Sequence, residues 1–275
     1  MDPGVFGIIR APLRDFGDFI DVFKRIVLNL NSPSDYAAVA RRMLGSFDQQ
    51  GIDYAEVTLS AGVVLWKGQD LHAVWEAIRI ACREYPLIRT AWCFDAVRQF
   101  GADAALRVVD VAAELTGEGV VSFGIGGDEV RGPAAEFEQV FRTARGKGLR
   151  LTAHAGETDG PPSVWDAIRI GAERIGHGIR AVEDPALLRH LRDHAIPLEI
   201  CITSNVATGA VRALKDHPVR RLFEAGVPLT LNTDDPGIFD TTLAREFALA
   251  RDVFGFQPAE LDVVAANAYR FAFCT

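Results

Sequence analysis

The stretch LRLTAHAGE, residues 149–157, runs as a short apolar segment and then stops at an imidazole, His154. Three residues later, past Gly156, it presents a carboxylate, Glu157. A buried strand that ends by aiming two ionisable groups at one place is the signature of a strand feeding a site. The fold follows from asking whether other strands do the same.

They recur. From residue 51 onward, short β-rich runs alternate with longer segments of helical period. The runs are YAEVTLS (54–60), LIRTAWCF (87–94), GVVSFGIG (119–126), LRLTAHA (149–155), ERIGHG (173–178), IPLEICIT (196–203) and VPLTLNT (227–233). Helices are predicted at 70–84, 102–116, 134–147, 162–171, 185–194 and 217–225, then at 241–254 and 258–271. Pro133 and Pro185 sit near helix starts, where a missing N–H costs least. Gly148, Gly171 and Gly226 lie where helices should stop. No low-complexity linker or charge block interrupts the pattern, so residues 1–275 are expected to form one domain. Alternating β and α elements argue for a parallel sheet with helical crossovers. Seven strands over this span fit a TIM-type (β/α)8 barrel, and GIGGDE (124–129) lacks the third glycine of a dinucleotide-binding turn. Before residue 51 only helices are read, at 13–29 and 33–50. The first β/α unit of the barrel is therefore expected to be missing.

In such barrels the active site forms at the C-terminal ends of the strands. Here those ends carry Gly126-Gly127-Asp128-Glu129, His154 with Glu157, His177, Ser204-Asn205 and Asp234-Asp235. Each has an ordinary alternative. A lone strand-end histidine is usually a hydrogen-bonded structural residue. Asp234-Asp235-Pro236 could form only a turn, Asp128-Glu129 a helix start, and Ser204-Asn205 simple caps. The joint pattern is the argument: five neighbouring strands, one end, and the residue types of hydrolysis. His154 and Asp234 are the candidate metal ligands, because zinc takes neutral imidazole and carboxylate. Glu157 is the candidate proton shuttle. His177 is placed to orient or deprotonate a water. His190 and His194, four apart, are read as a solvated face. His72 and His217 are read as helix-start or loop residues, and Trp66, Trp75, Trp92 and Trp165 as packing groups.

Composition narrows the function. Hydrophobic residues make up 49% and charged residues 24%, with a net charge of −8. An acidic surface repels phosphate backbones, which disfavours polymeric nucleic acid and leaves a small molecule as the expected partner. Cys82, Cys93, Cys201 and Cys274 form no CxxC, so reduced thiols in a cytoplasmic protein are expected. No apolar stretch reaches the roughly 18 residues of a membrane span, and the N-terminus does not resemble a secretion signal.

Together TAHAGE (152–157), RIGHGI (174–179), TSN (203–205), LNTDDPGIF (231–239) and GGDE (126–129) resemble the adenosine deaminase family of the amidohydrolase superfamily. The resemblance runs from about residue 33 to the C-terminus, and HAGE with NTDDP is its specific part. It implies a zinc-dependent barrel that hydrolyses the 6-amino group of a purine. His154 and Asp234 resemble zinc ligands, and Glu157 the residue that protonates purine N1. His177 resembles the group positioning the attacking hydroxide. Asp235 resembles the acceptor contacting N7, and Gly127 the glycine whose N–H meets N3. The H-x-E and P-C-x-x-C signature of the other zinc deaminases is absent.

One departure stands out. The family carries an H-x-H zinc-binding pair on its first strand, and none of the six histidines here forms one. The expected explanation is a shortened version of an active deaminase. The alternative is a degenerate, metal-free homologue that binds purine nucleosides without catalysis. Loss of two of four ligands should weaken zinc by orders of magnitude, and a seven-stranded barrel should expose strand edges. Adenosine is the default substrate. YAEVTLSAGVVLWKGQD (54–70) and SNVATGAV (204–211) resemble bacterial members acting on aminodeoxyfutalosine.

Overall fold

The computed structural model describes residues 13–273. Cys274 and the stretch assessed for a secretion signal up to residue 12 lie outside them. Seven parallel strands form one sheet in sequence order: β1 (Tyr54–Leu59), β2 (Arg89–Val97), β3 (Val120–Gly126), β4 (Arg150–Ala155), β5 (Arg174–His177), β6 (Leu198–Ile200) and β7 (Leu229–Leu231). Every predicted strand is present, each followed by a helix. Among the described residues, the region before β1 contains only the helices Phe16–Leu28 and Pro33–Gln49. The fold is the α/β barrel type with seven strands among the described residues.

Burial shows why these runs became strands. Phe94, Phe123, Ile125, Leu151, Ile175, Leu198 and Ile200 are sealed from solvent, as in a parallel sheet covered by its crossovers. Trp75, on the helix Leu71–Arg83, packs edge-on against Trp92 and Phe94 of β2, both at 5.5 Å. That helix starts where the Asp70 carboxylate accepts from the His72 and Ala73 N–H groups. The helix Pro161–Ile170 ends at Gly171, whose φ of 96° an L side chain would resist.

The sheet curls on itself. Arg174, at the start of β5, pairs with Glu56 on β1 at 2.6 Å and with Glu199 on β6 at 2.9 Å. Its guanidinium also donates to the Phe271 carbonyl and stands 3.5 Å over the Phe273 ring. The C-terminal segment thus closes the end of the sheet opposite the polar strand ends. β1 and β7 each pair with one strand among the described residues. The Asn267 amide donates to the Leu229 carbonyl of β7.

Two expectations are corrected. The run 196–203 is strand only to Ile200. The chain then turns at Cys201 into a helix, Ile202–Ala207. Ser204 and Asn205 therefore lie inside a helix and do not cap it. The run 87–94 in turn stops short, because β2 continues to Val97. Trp66 is the exception among the tryptophans: it is 60% exposed and stacks on Phe100.

Candidate active site

Register brings the strand-end residues level. His154 on β4 lies opposite Gly176 on β5, and Ala155 opposite His177. The His154 ring packs directly against β5 at Gly176, where a Cβ would lie 3.4 Å from it. The His154 and His177 rings are 5.3 Å apart. His154 Nδ1 lies 3.2 Å from the Ile125 carbonyl, which fixes the proton on that nitrogen and leaves Nε2 free as a ligand.

Glu157 sits one tight turn beyond β4, with Gly156 at φ 67°. A Cβ on Gly156 would lie 2.4 Å from Val164 Cγ2. The turn is held from β3's side by Glu129, a buried carboxylate accepting from the N–H groups of Gly156 (2.7 Å), Glu157 (2.9 Å) and Thr158 (3.2 Å). The Ser163 hydroxyl donates to it as well, at 2.5 Å. Glu157 accepts from Thr208 and stands 3.6 Å from His177 Nε2. Burial raises its carboxyl above the usual carboxylate range, although His177 opposes the shift.

His177 and Asp234 are two of the four non-glycine residues with positive φ among those described, at 62° and 54°. Such strain persists where the surrounding structure imposes it, often at functional sites. Asp234 accepts from the Ser204 hydroxyl at 2.6 Å. Burial, together with the neighbouring Asp234 carboxylate, pushes the Asp235 carboxyl up to about 8. The Glu157 and Asp234 carboxylates pull the His177 imidazole toward protonation against its burial.

Gly127 directly follows β3 at φ 100°, and the Gln99 amide lies where its Cβ would be. No side chain could occupy that position without displacing Gln99, and the backbone there stays accessible at close range. On the opposite rim, Phe19 of the helix Phe16–Leu28 stacks at 5.3 Å on Phe239, four residues past Asp235.

Three ligand atoms, from His177, Cys201 and Asp234, lie within 4.8 Å of one another. Nitrogen, sulfur and oxygen donors at this spacing suit zinc. Hydrogen bonds behind Asp234 and His154, from Ser204 and to Ile125, are of the kind that orient metal ligands.

All six residues singled out in the sequence therefore lie at one end of the sheet. His154, Glu157, His177 and Asp234 are interconnected through contacts and shared neighbours. Sequence reasoning missed others. Asp95, two residues before the end of β2, is buried and is pushed up to about 6 by that burial against the pull of His154 and Arg98. Arg98 donates to the carbonyls of Gly132 and His154. Ending β2 at residue 94 left Asp95 just outside the same strand-end test. His217, read as a helix-start or loop residue, is instead buried and bonded to Asn205. His190 and His194 stack on each other at 4.0 Å, away from the site.

Comparison with known proteins agrees with this geometry. The family model described as "Adenosine deaminase" matches residues 6–275. An aminodeoxyfutalosine deaminase of Streptomyces avermitilis is 40% identical over 266 residues, covering 94% of this chain and 74% of that protein. An adenine deaminase of Agrobacterium fabrum is 37% identical over 264 residues, covering 94% of this chain and 81% of that protein. The crystal structure of an adenine deaminase from Arthrobacter aurescens superimposes with a TM-score of 0.88 at 27% identity. It covers 96% of this chain and 82% of that one.

Proposed function

The chain belongs to the adenosine deaminase family and is a hydrolytic deaminase of adenine- or adenosine-like substrates, and from that premise we propose that it removes the 6-amino group of a purine nucleoside with zinc as cofactor. The carrying observation is the meeting of three strand ends, with His177 Nε2 3.6 Å from Glu157 Oε2 and a donor atom of Asp234 within 4.8 Å of one of His177.

His154 and Asp234 would hold the zinc, and a donor atom of Cys201 lies within 4.8 Å of one of Asp234. When bound, zinc lowers the pKa of water from 15.7 to roughly 7 and so supplies a nucleophile at neutral pH. Glu157, whose carboxyl burial raises above the usual carboxylate range, is placed to donate to purine N1 and draw electrons from C6. Purine N7 carries a lone pair and no proton, so a carboxyl that meets it must donate. The raised Asp235 supports a donor there, in place of the acceptor that the family resemblance implies. The Gly127 N–H meets N3. His177 orients the attacking oxygen, which adds at C6, and ammonia leaves.

Relatives acting on aminodeoxyfutalosine and on adenine are similarly distant, and the resemblance of residues 54–70 and 204–211 favours aminodeoxyfutalosine, with adenosine next. The absence of an H-x-H pair from the six histidines favours one second reading, a purine-binding homologue without metal. The test is ammonia release from aminodeoxyfutalosine, adenosine and adenine with zinc supplied. Turnover of either nucleoside above adenine is the expected result. Turnover of adenine alone overturns the nucleoside assignment. Binding of a nucleoside without ammonia supports the metal-free reading.

A further inference from the structure

Behind His177 runs a buried chain of hydrogen bonds that no step above uses. The Val219 backbone N–H donates to His217 Nδ1 at 3.2 Å. His217 Nε2 lies 3.2 Å from Asn205 Oδ1, and Asn205 Nδ2 lies 3.0 Å from His177 Nδ1. Asn205 is fully enclosed, and His177 and His217 are 3% and 4% exposed, so water does not compete for these bonds.

The polarity of the chain is forced from its outer end. A backbone N–H can only donate, so His217 Nδ1 must be an acceptor. A neutral imidazole with a bare Nδ1 carries its proton on Nε2. His217 therefore donates to Asn205, whose facing atom must be the oxygen. The amide nitrogen is left to face His177, and an NH2 group can only donate. His177 Nδ1 is thus an acceptor, and the ring's proton is held on Nε2, the atom facing Glu157.

We propose that His217, acting through Asn205, is a positioning residue that fixes the Nε2–H tautomer of His177. Burial supports the starting point, because it lowers His217 to about 3 and keeps it neutral across the working range. The inference rests on the proposed deaminase reading for its consequence: His177, with Nδ1 engaged by Asn205, offers the attacking oxygen a hydrogen bond from Nε2. Of the two roles considered for His177, orienting the water and deprotonating it, the relay selects the first. It also explains why an asparagine and not a simple cap stands after Ser204. An aspartate at 205 would present acceptors to both imidazoles.

The test is 15N NMR of the whole chain labelled at histidine, with the His177 ring assigned by its loss in His177→Gln. The wild type is expected to show a protonated Nε2 and a bare Nδ1. His217→Leu leaves Asn205 free to rotate and is expected to mix the two tautomers and to lower kcat about tenfold, with KM unchanged. His217→Gln, which can both accept from Val219 and donate to Asn205, is expected to restore the tautomer and most of kcat. If His217→Leu fails to fold, Asn205→Asp serves in its place and is expected to move the proton to Nδ1. A wild-type His177 protonated at Nδ1, or a tautomer ratio unmoved by these variants, overturns the relay. The NMR readout needs no turnover. A relay that behaves as described in a chain releasing no ammonia would count against the deaminase reading and not against the relay.

Discussion

At the scale of single residues, His217 is the group whose burial has the clearest consequence for stability. Its ordinary value of 6.5 falls to about 3 in the fold. Between those values the unfolded chain takes up a proton that folded His217 refuses, so acid favours unfolding. Stability is expected to fall as pH drops from about 6.5 toward 3, by on the order of 5 kcal/mol from this group. Urea unfolding across that range measures the slope, and His217→Leu should flatten it. The single-residue level is also where the sequence was most and least informative. His154, Glu157, His177 and Asp234 were legible because each ends an apolar run, and runs of that kind can be counted. Asn205 was placed at the strand-end level with a cap as its alternative, but its bonds to two histidines were not legible, and neither was the burial of His217. One sits inside a six-residue helix and the other in a connecting segment, so neither has a periodicity that would mark it as buried. Their partners come from chain segments 12 and 28 residues away.

At the scale of elements, the turn after β4 decides where Glu157 points, and Glu129 decides the turn. The sequence placed Asp128-Glu129 at the strand-end level but offered a helix start as the alternative. Instead, the Asp128 carboxylate accepts from Val130 and Arg131 in a local turn. Glu129 reaches across to three successive N–H groups beyond β4. Glu129→Ala leaves those donors buried without an acceptor. Unpaired buried donors cost about 1–3 kcal/mol each, partly relieved by water entering the gap. The variant is expected to melt lower and to lose kcat more than KM, since Glu157 is displaced and Gly127 is not. Thermal unfolding paired with steady-state kinetics measures both. Strand boundaries were the other element-scale error. A run such as IPLEICIT reads as continuous strand because every residue favours it, yet Cys201 starts a helix that delivers Ser204 to Asp234. The tertiary demand for that hydroxyl outweighs local β-propensity.

At the scale of the molecule, two ends of one sheet divide the work. The polar strand ends form the site, and the opposite end is closed by Arg174 between Glu56 and Glu199, with Phe271 and Phe273 packed over it. This closure ties β1 to β5 and β6 across the curl. Arg174→Met should strand two carboxylates and destabilise the fold by about 3–5 kcal/mol, measured by chemical unfolding. The alternating pattern made the barrel class readable, because parallel strands with helical crossovers have few other solutions. The closure was not readable, since nothing in the sequence says that an arginine opening one strand meets glutamates from two others.

The account's central claim is that Glu157, buried beside His177 and Asp234, is the proton donor of a purine-deaminating site. Ammonia release from the preferred nucleoside by wild type and by Glu157→Gln, both supplied with zinc, tests it most directly. A loss of about 10²–10⁴-fold in kcat in the variant is the predicted result. A variant that releases ammonia at the wild-type rate would contradict it.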